Sequence, residues 1–295
     1  MRPCGGCTEA PEYRHSARRG SQLPVTSSPR EQYMLATGKA AIGRLQLLDE
    51  IFGPATREFL MTIGLRGGWR VADIGCGIGL VTLWIAEQVG RTGWASAVDV
   101  SFEQLRVAKS NAAAVGLKNM SFHQASAYET GLQADSFDLV YSRFLMCHLK
   151  HPVNALKELG DLLKKGGVLV CEDCDDSSIV TDPPTLAYTR LVEISRAVDA
   201  KRGLDSEIGL KLHRLFREVG FRSPNISLKQ MATLRGPGKR FWELTLRESA
   251  PAIIEAGAAS TAELEAICAE MQAVARDETT LIVLPRFSQV WTLKE

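Results

Sequence analysis

The sequence predicts an α/β fold built on a mostly parallel sheet flanked by helices. Between residues 67 and 176, short apolar strands alternate with helical segments of about ten to fifteen residues, the pattern of βαβ units. A glycine-rich turn follows the first of these strands, and Asp99 ends the second. In such sheets, ligands bind beyond the carboxyl ends of the strands. The length of 295 residues and the 45% hydrophobic content suffice for one large domain, alone or with a subdomain.

The elements of the predicted core, over residues 64–176, follow from apolar runs and turn signals. The predicted strands are 70–74, 94–99, 119–123, 137–142 and 168–173, and the predicted helices are 80–89, 102–115 and 153–163. Gly116 closes the second of these helices as a C-cap signal. The pair Gly166 and Gly167 is expected to form the turn that leads into the fifth strand.

The segments on either side of the core do not show the regular alternation of strands and helices. Residues 1–30 lack apolar periodicity and are predicted to be a disordered tail. Residues 31–63 have helical spacing and are expected to form capping helices, with a second helix starting at Pro54. Residues 177–295 complete the sheet with strands at 223–231 and 286–293. Helices are expected at 185–200, 207–219 and 239–277, and segments 177–203 and 236–280 are predicted to form lid insertions.

Composition argues against several classes of partner. The formal net charge of +1 gives no electrostatic reason to expect nucleic acid or an anionic membrane. No run approaches the roughly 18 apolar residues of a membrane span. Seven irregularly spaced cysteines suit a reduced, cytoplasmic protein. The pairs Cys4/Cys7 and Cys171/Cys174 have zinc-ligand spacing, but one lies in the tail and the other in a strand, so we expect free thiols and no metal.

Residues 71–79, Val-Ala-Asp-Ile-Gly-Cys-Gly-Ile-Gly, span the end of the first strand. The glycines permit a tight turn and close approach of a ligand, and the next helix offers free N–H groups. Such a loop suits a pyrophosphate or an amino-acid carboxylate. The Gly-x-Gly-x-x-Gly spacing of dinucleotide sites fails because Leu80 occupies the sixth position. A carboxylate at Asp99 is placed to accept ribose hydroxyls.

Four motifs in order, within residues 67–175, resemble those of class I methyltransferases that depend on S-adenosylmethionine (SAM). They are residues 73–79, 98–101 (Val-Asp-Val-Ser), 137–140 (Phe-Asp-Leu-Val) and 162–169 (Leu-Leu-Lys-Lys-Gly-Gly-Val-Leu). Within that superfamily, the sequence is most similar to the ubiquinone/menaquinone-type and small-molecule methyltransferases. The resemblance implies a Rossmann-like class I fold, with a mostly parallel seven-stranded sheet, an antiparallel last strand and a helical lid.

The resemblance also implies a role for each matching residue around SAM. Asp73 would face the methionine amino group, Asp99 would hold the ribose, and Val100 would pack on the adenine. The residues that it places around the cofactor are Tyr33, Asp73, Gly75, Cys76, Gly77, Gly79, Asp99, Val100, Gln104, Ser126, Ala127 and Ser142.

Three of these positions carry an open question. Gln104 stands where many relatives have Met beside the adenine. Ser126 stands where relatives have an acidic residue before the alanine, and a hydroxyl is a weaker acceptor of the adenine amine. Tyr33 is either an aromatic neighbour of the sulfonium or a surface tyrosine.

Candidates for catalysis follow the fourth strand. His148 is placed either as a general base or as packing between strand and helix, and Arg143 as the floor beneath the methyl group. The acidic group 172–176 offers carboxylates to a metal or a cationic amine, but Asp175 and Asp176 are expected in a solvated loop. Residues 182–185, Asp-Pro-Pro-Thr, are similar to a motif of amino methyltransferases but are interpreted as a helix start.

The function predicted from these observations is methyl transfer from SAM to an O, N or C nucleophile of a small molecule, with S-adenosylhomocysteine (SAH) as product. The predicted partner is that small-molecule acceptor, with no nucleic acid, and a homodimer is left open. One alternative is a SAM-binding regulator or scaffold without turnover, suggested by Ser126 and Gln104. Another is arsenite methylation, which requires Cys171 and Cys174 to converge over the sulfonium.

Overall fold

The computed structural model describes Leu35 and residues 41–295; the predicted tail 1–30 and Tyr33 lie outside the described residues. The helices are α1 Ile42–Thr62, α2 Leu80–Val89, α3 Phe102–Ala114, α4 Pro152–Leu162, α5 Leu186–Arg202, α6 Leu212–Glu218, α7 Phe241–Glu255 and α8 Thr261–Arg276. The strands are β1 Arg70–Ile74, β2 Trp94–Asp99, β3 Met120–Gln124, β4 Phe137–Arg143, β5 Leu163–Asp175, β6 Val180–Asp182, β7 Asn225–Lys229, β8 Ala232–Thr233, β9 Leu281–Val283 and β10 Arg286–Leu293.

Seven of these strands form one sheet in the order β3-β2-β1-β4-β5-β10-β7. The pairs from β3 to β5 are parallel, and β10 is antiparallel to both β5 and β7. Strands β1, β2 and β4 are buried along most of their length, as expected where helices cover both faces. The predicted fold class is therefore confirmed, including the antiparallel last strand.

Strand β5 is longer than its apolar run. It begins at Leu163, which pairs with Phe137, and a shift of register follows between Phe137 and Leu139. Gly166, with φ of 77°, lies in this irregular stretch. The prediction that the strand begins only after Gly166 and Gly167 is wrong, because β5 includes both glycines. Between Leu163 and Val168 the strand leaves its pairing with β4, and the Gly166 N–H donates to the Lys294 carbonyl.

Helix α1 is continuous through Pro54, so the expectation of a second helix starting there is wrong. Phe52 on one side of the proline and Phe59 and Leu60 on the other are all buried. Proline removes only the bond to the carbonyl four residues earlier, that of Glu50, an exposed residue. Burial of the apolar face on both sides holds the helix together.

Four helices form a second layer with a continuous core. Leu47 of α1, Tyr188 of α5, Leu246 of α7 and Met271 of α8 belong to one hydrophobic cluster. A three-stranded sheet, β6-β9-β8, joins the segments that lead into and out of these helices. Its strands have two or three residues each, too few for a periodic pattern to predict them.

Within residues 41–295, no helix combines the length and the apolar character needed to cross a bilayer.

Candidate active site

A cleft opens at the carboxyl ends of β1 and β4, beneath the first half of α1. Its lining consists of Leu45, Leu48, Asp73, Gly75, Cys76, Gly77, Ile78, Leu80, Val81, Tyr141 and Arg143. Leu45 and Leu48 come from α1, and most of the others come from the glycine-rich loop after β1 and the start of α2. The cleft thus combines an apolar roof with a loop of exposed backbone groups and buried charges.

The glycine-rich loop needs glycine at three positions. Gly75, Gly77 and Gly79 have φ of 76°, 55° and 79°, the left-handed region that other residues rarely adopt. A Cβ at Gly75 would lie 3.0 Å from Leu145 Cδ1, and one at Gly79 would lie 2.9 Å from Ala108 Cβ. The N–H groups of Gly75 and Cys76 donate to the Val98 carbonyl of β2. The loop is therefore held against the neighbouring strand.

Asp99 joins this loop to helix α3. One carboxylate oxygen accepts the Gly77 N–H at 2.9 Å, and the other accepts the Ser101 N–H at 2.8 Å. Ser101 caps α3 by accepting the Gln104 N–H. Each oxygen of Asp99 keeps a lone pair for a further donor. Burial raises the pKa of Asp99, and the bonds from the backbone N–H groups of Ser101 and Gly77 oppose that rise.

Asp73 is a buried carboxylate that lines the cleft. It lies near the end of β1, just before the glycine-rich loop, and its carboxylate accepts the Thr82 hydroxyl at 2.5 Å. Burial raises the pKa of Asp73 to about 6, although the bond from Thr82 and the charge of Arg143 act in the opposite direction. A cation that enters the cleft would stabilise the ionised form of Asp73.

The segment predicted to surround the adenine lies beside Asp99. The Ala125 N–H donates to the Asp99 carbonyl, which places residues 124–127 next to the end of β2. Val100 is 60% exposed, and Ala127 is buried. The Ser126 hydroxyl accepts the Tyr128 backbone N–H at 3.2 Å, so a donor two residues along the chain already occupies this oxygen.

Gln104 is the residue on this side whose chemistry points to a ligand. Its side chain is buried, and its Oε1 atom has no hydrogen-bond partner within the part of the chain that the structure describes. A buried amide oxygen without a donor is unfavourable by about 1–3 kcal/mol. The exocyclic amine of an adenine is a suitable donor. The residues of this cleft therefore fit an adenosyl group with an attached amino acid.

The two residues predicted for catalysis have distinct surroundings. Arg143 donates to Asp49 at 2.9 Å and to the Thr56 hydroxyl at 3.3 Å, and both partners lie on α1. These bonds hold α1 over the sheet. His148 ends a 3-10 helix after β4, and burial, with help from the positive charge of Arg44, lowers its pKa to about 4. His148 is therefore neutral at pH 7.

Glu172 forms the centre of a buried network that the sequence analysis missed. It accepts the Tyr141 hydroxyl at 2.5 Å, the Gln289 amide at 2.6 Å and the Thr56 hydroxyl at 2.7 Å. Together with Arg143, these bonds fasten α1 to β4, β5 and β10. The available signal was a glutamate inside a predicted buried strand, where an acid needs partners.

The expectation of a solvated loop at Asp175 and Asp176 is wrong, because both are buried. Asp175 accepts bonds from Ser177 and Arg286, while Asp173 accepts the N–H groups of Cys147 and Cys174. Among residues 41–295, no group of three or more His, Cys, Asp or Glu side chains converges as metal ligands would.

Cys171 and Cys174 do not converge over the cleft. Three residues apart on a continuous strand, they lie on opposite faces of the sheet. Cys171 packs into the core beneath α4, and the Cys174 thiol lies beside Cys147. The geometry required for arsenite methylation at this pair is absent.

Comparison with known proteins agrees with the fold and the loop. Residues 72–171 match a family model described as a methyltransferase domain. The matched region runs from β1 to β5 and contains the glycine-rich loop and Asp99. The chain is 33% identical over 141 residues to the aklanonic acid methyltransferase DauC of Streptomyces sp. (strain C5), across 48% of this chain and 64% of the relative. It is 31% identical over 130 residues to a demethylmenaquinone methyltransferase of Staphylococcus aureus, across 44% and 50%.

These matches to methyltransferases span between half and two thirds of the relatives' own length. Among solved structures, the YcgJ protein of Bacillus subtilis aligns with a TM-score of 0.54 at 19% identity, across 80% of this chain and 96% of that one. A methyltransferase-like protein of Bacillus halodurans aligns with a TM-score of 0.54 at 18% identity, across 80% and 97%. At this identity, the alignments establish the methyltransferase fold.

The affinity of the cleft for SAH is expected to rise as pH increases from 5 to 7. The SAH amino group is a cation that prefers an ionised Asp73, and the pKa of that carboxyl is about 6 in the empty cleft. The rise is at most about tenfold per pH unit for one proton. Titrations at several pH values should show a flat profile for Asp73→Asn. Thr82→Val removes a bond that lowers the pKa, so the midpoint of the rise should move to higher pH.

Proposed function

We propose that this chain transfers the methyl group of SAM to a small-molecule acceptor. The observation that carries the proposal is that Asp73 and the glycine-rich loop line one cleft, while Asp99 accepts the Gly77 N–H of that loop. The relatives are named for aklanonic acid and demethylmenaquinone, both small molecules, which supports an acceptor of that class. The balanced charge of the chain gives nucleic acid no electrostatic advantage as acceptor.

Each residue in or beside the cleft would contact a different part of the cofactor. Asp73 would face the methionine ammonium, and the glycine-rich loop would leave room for the methionine chain. Asp99 would accept the ribose hydroxyls while it keeps the Gly77 N–H. Gln104 would accept the adenine amine, in place of the acidic residue that Ser126 replaces. SAM supplies an electrophilic methyl group on a sulfonium, so the chain mainly provides alignment.

His148 would act on the acceptor side. It follows β4, the strand beside the glycine-rich loop, and its low pKa leaves the imidazole unprotonated at neutral pH. A neutral imidazole can take a proton from an O–H, N–H or acidic C–H group. Arg143 would serve as a positioning residue, because its bonds to Asp49 and Thr56 set the height of α1 above the cleft.

The helical layer would enclose the acceptor. Segments 177–203 and 236–280 supply α5, α7 and α8, which share a hydrophobic cluster with α1, the roof of the cleft. We propose that this layer acts as a lid and excludes water during methyl transfer. The described cysteines are all free, which suits a reducing cytoplasm.

The proposal is tested by incubating the protein with SAM labelled in the methyl group and with small-molecule extracts. Products that carry the label, each heavier than its precursor by one labelled methyl group in place of a hydrogen, are expected for the wild type together with SAH. Asp99→Ala should reduce the yield, whereas Glu103→Ala, an exposed change in the first turn of α3, should not. SAH binding without any labelled product from a broad set of extracts would instead favour a regulator or scaffold.

A further inference from the structure

Arg44, in the first turn of α1, carries a buried positive charge with an unused donor. Its side chain is 4% exposed, and its Nε donates to Glu248 of α7 at 2.7 Å. Its Nη2 is buried and has no hydrogen-bond partner within residues 41–295. A buried donor that lacks an acceptor is unfavourable, and more so when it is charged. The position therefore favours an acceptor that comes from outside the chain.

The location of Arg44 indicates which ligand this would be. The next residue, Leu45, lines the cleft and lies 3.9 Å from the Cβ position of Gly77. On another side, the charge of Arg44 acts on His148, in the segment after β4. On a third side, Glu248 belongs to the proposed lid. The Arg44 guanidinium, on α1, thus lies near the segment after β4 and near α7, which would border the acceptor under the proposed function.

We propose that Arg44 binds an anionic oxygen of the methyl acceptor, with Nη2 as the donor. This inference rests on the proposed function. The oxygen belongs to a carboxylate or to an ionised enol or phenol, since these are the anions that a guanidinium recognises through charge-assisted bonds. Glu248 accepts a bond only from Nε. This bond orients the guanidinium and leaves Nη2 free to donate to the ligand. An acceptor of this class would be held beside His148, with its nucleophilic atom toward the glycine-rich loop.

The test uses SAH-loaded protein and two pairs of probes of similar shape, benzoate with benzamide and 4-nitrophenolate with 4-nitroaniline. Calorimetry should show that at least one anion binds about tenfold or more tightly than its neutral counterpart, the size of one charge-assisted bond. A preference for benzoate assigns a carboxylate, and a preference for 4-nitrophenolate assigns an ionised hydroxyl. Arg44→Met should abolish the preference, while Arg106→Met, an exposed change on α3, should leave it intact.

A second variant separates binding of an anion from a purely structural bond between α1 and α7. Glu248→Gln keeps the shape of the Arg44 partner but removes its negative charge, so the anionic probe should bind more tightly than to the wild type. If Arg44 served only to fasten the lid, Arg44→Met and Glu248→Gln would change probe binding in the same direction. Arg44→Lys, which keeps the charge, should retain part of the preference.

The results distinguish failure of the Arg44 inference from failure of the proposed function. If the wild type fails to bind SAH, the proposed function is wrong. If SAH binds but neither anion is preferred over its neutral counterpart, the assignment of Arg44 alone is wrong. Equal preference in the wild type and in folded Arg44→Met would overturn it as well. Unchanged SAH affinity in Arg44→Met provides the check that the variant is folded.

Discussion

Replacement of Phe52 by alanine is expected to lower the free energy of unfolding by about 3–5 kcal/mol, the usual loss for a fully buried phenylalanine. Phe52 is 1% exposed. Its ring lies 4.9 Å from that of Phe144, 5.0 Å from Phe287 and 6.4 Å from Phe241. The side chain therefore links α1 to the segment after β4, to β10 and to α7, and its removal leaves a cavity between all four.

Urea unfolding followed by circular dichroism measures this loss. Phe102→Ala provides the matched control, because Phe102 is 60% exposed and its truncation should change the free energy of unfolding by about 0.5 kcal/mol or less. A loss below about 1 kcal/mol at Phe52 would mean that α1 is not packed on the sheet as described. Since α1 forms the roof of the cleft, a folded Phe52→Ala protein should also bind SAH more weakly.

Replacement of Asp99 by alanine is expected to weaken SAH binding by about 1–3 kcal/mol, or roughly 5- to 150-fold. The change removes the proposed acceptor of the ribose hydroxyls. It also frees the Gly77 N–H, which Asp99 now holds at 2.9 Å, and so loosens the glycine-rich loop. Asp99→Asn keeps one acceptor oxygen and should show an intermediate loss.

Calorimetric titration with SAH measures the effect, and Glu103→Ala, four residues along the chain and exposed, should bind as the wild type does. If Asp99→Ala bound SAH with unchanged affinity, the ribose could not lie at the end of β2. The cleft would then need a different ligand orientation.

The core elements were predictable because each has a local cause. Helix α2 has the predicted bounds, since its apolar run begins directly after Gly79 and ends at Gly90. The strands β1 and β2 also match, because each is a short apolar run between turn residues. Asp73 and the glycine-rich loop line one cleft, and Asp99 at the end of β2 accepts the Gly77 N–H of that loop. Their roles around SAM stay predictions.

The side-chain contacts that the sequence did not predict depend on partners that are distant along the chain. Glu172 meets Thr56 across 116 residues, and Arg44 meets Glu248 across 204. No periodicity within either segment contains that information. The same reason explains Asp175 and Asp176, which look like a solvated acidic run but are covered by residues from other segments. Pro54 shows the reverse case, in which tertiary packing overrides a local helix-breaking signal.

The central claim is that the cleft recognises an adenosyl group joined to an amino acid, and calorimetric titration of the wild type with SAH and with NAD tests it most directly. Leu80 stands where a dinucleotide loop requires glycine, and Asp73 offers a partner for an ammonium that NAD lacks. We expect SAH to bind with measurable heat and NAD to give none at the same concentrations. Binding of NAD without binding of SAH would contradict the methyltransferase assignment of the cleft.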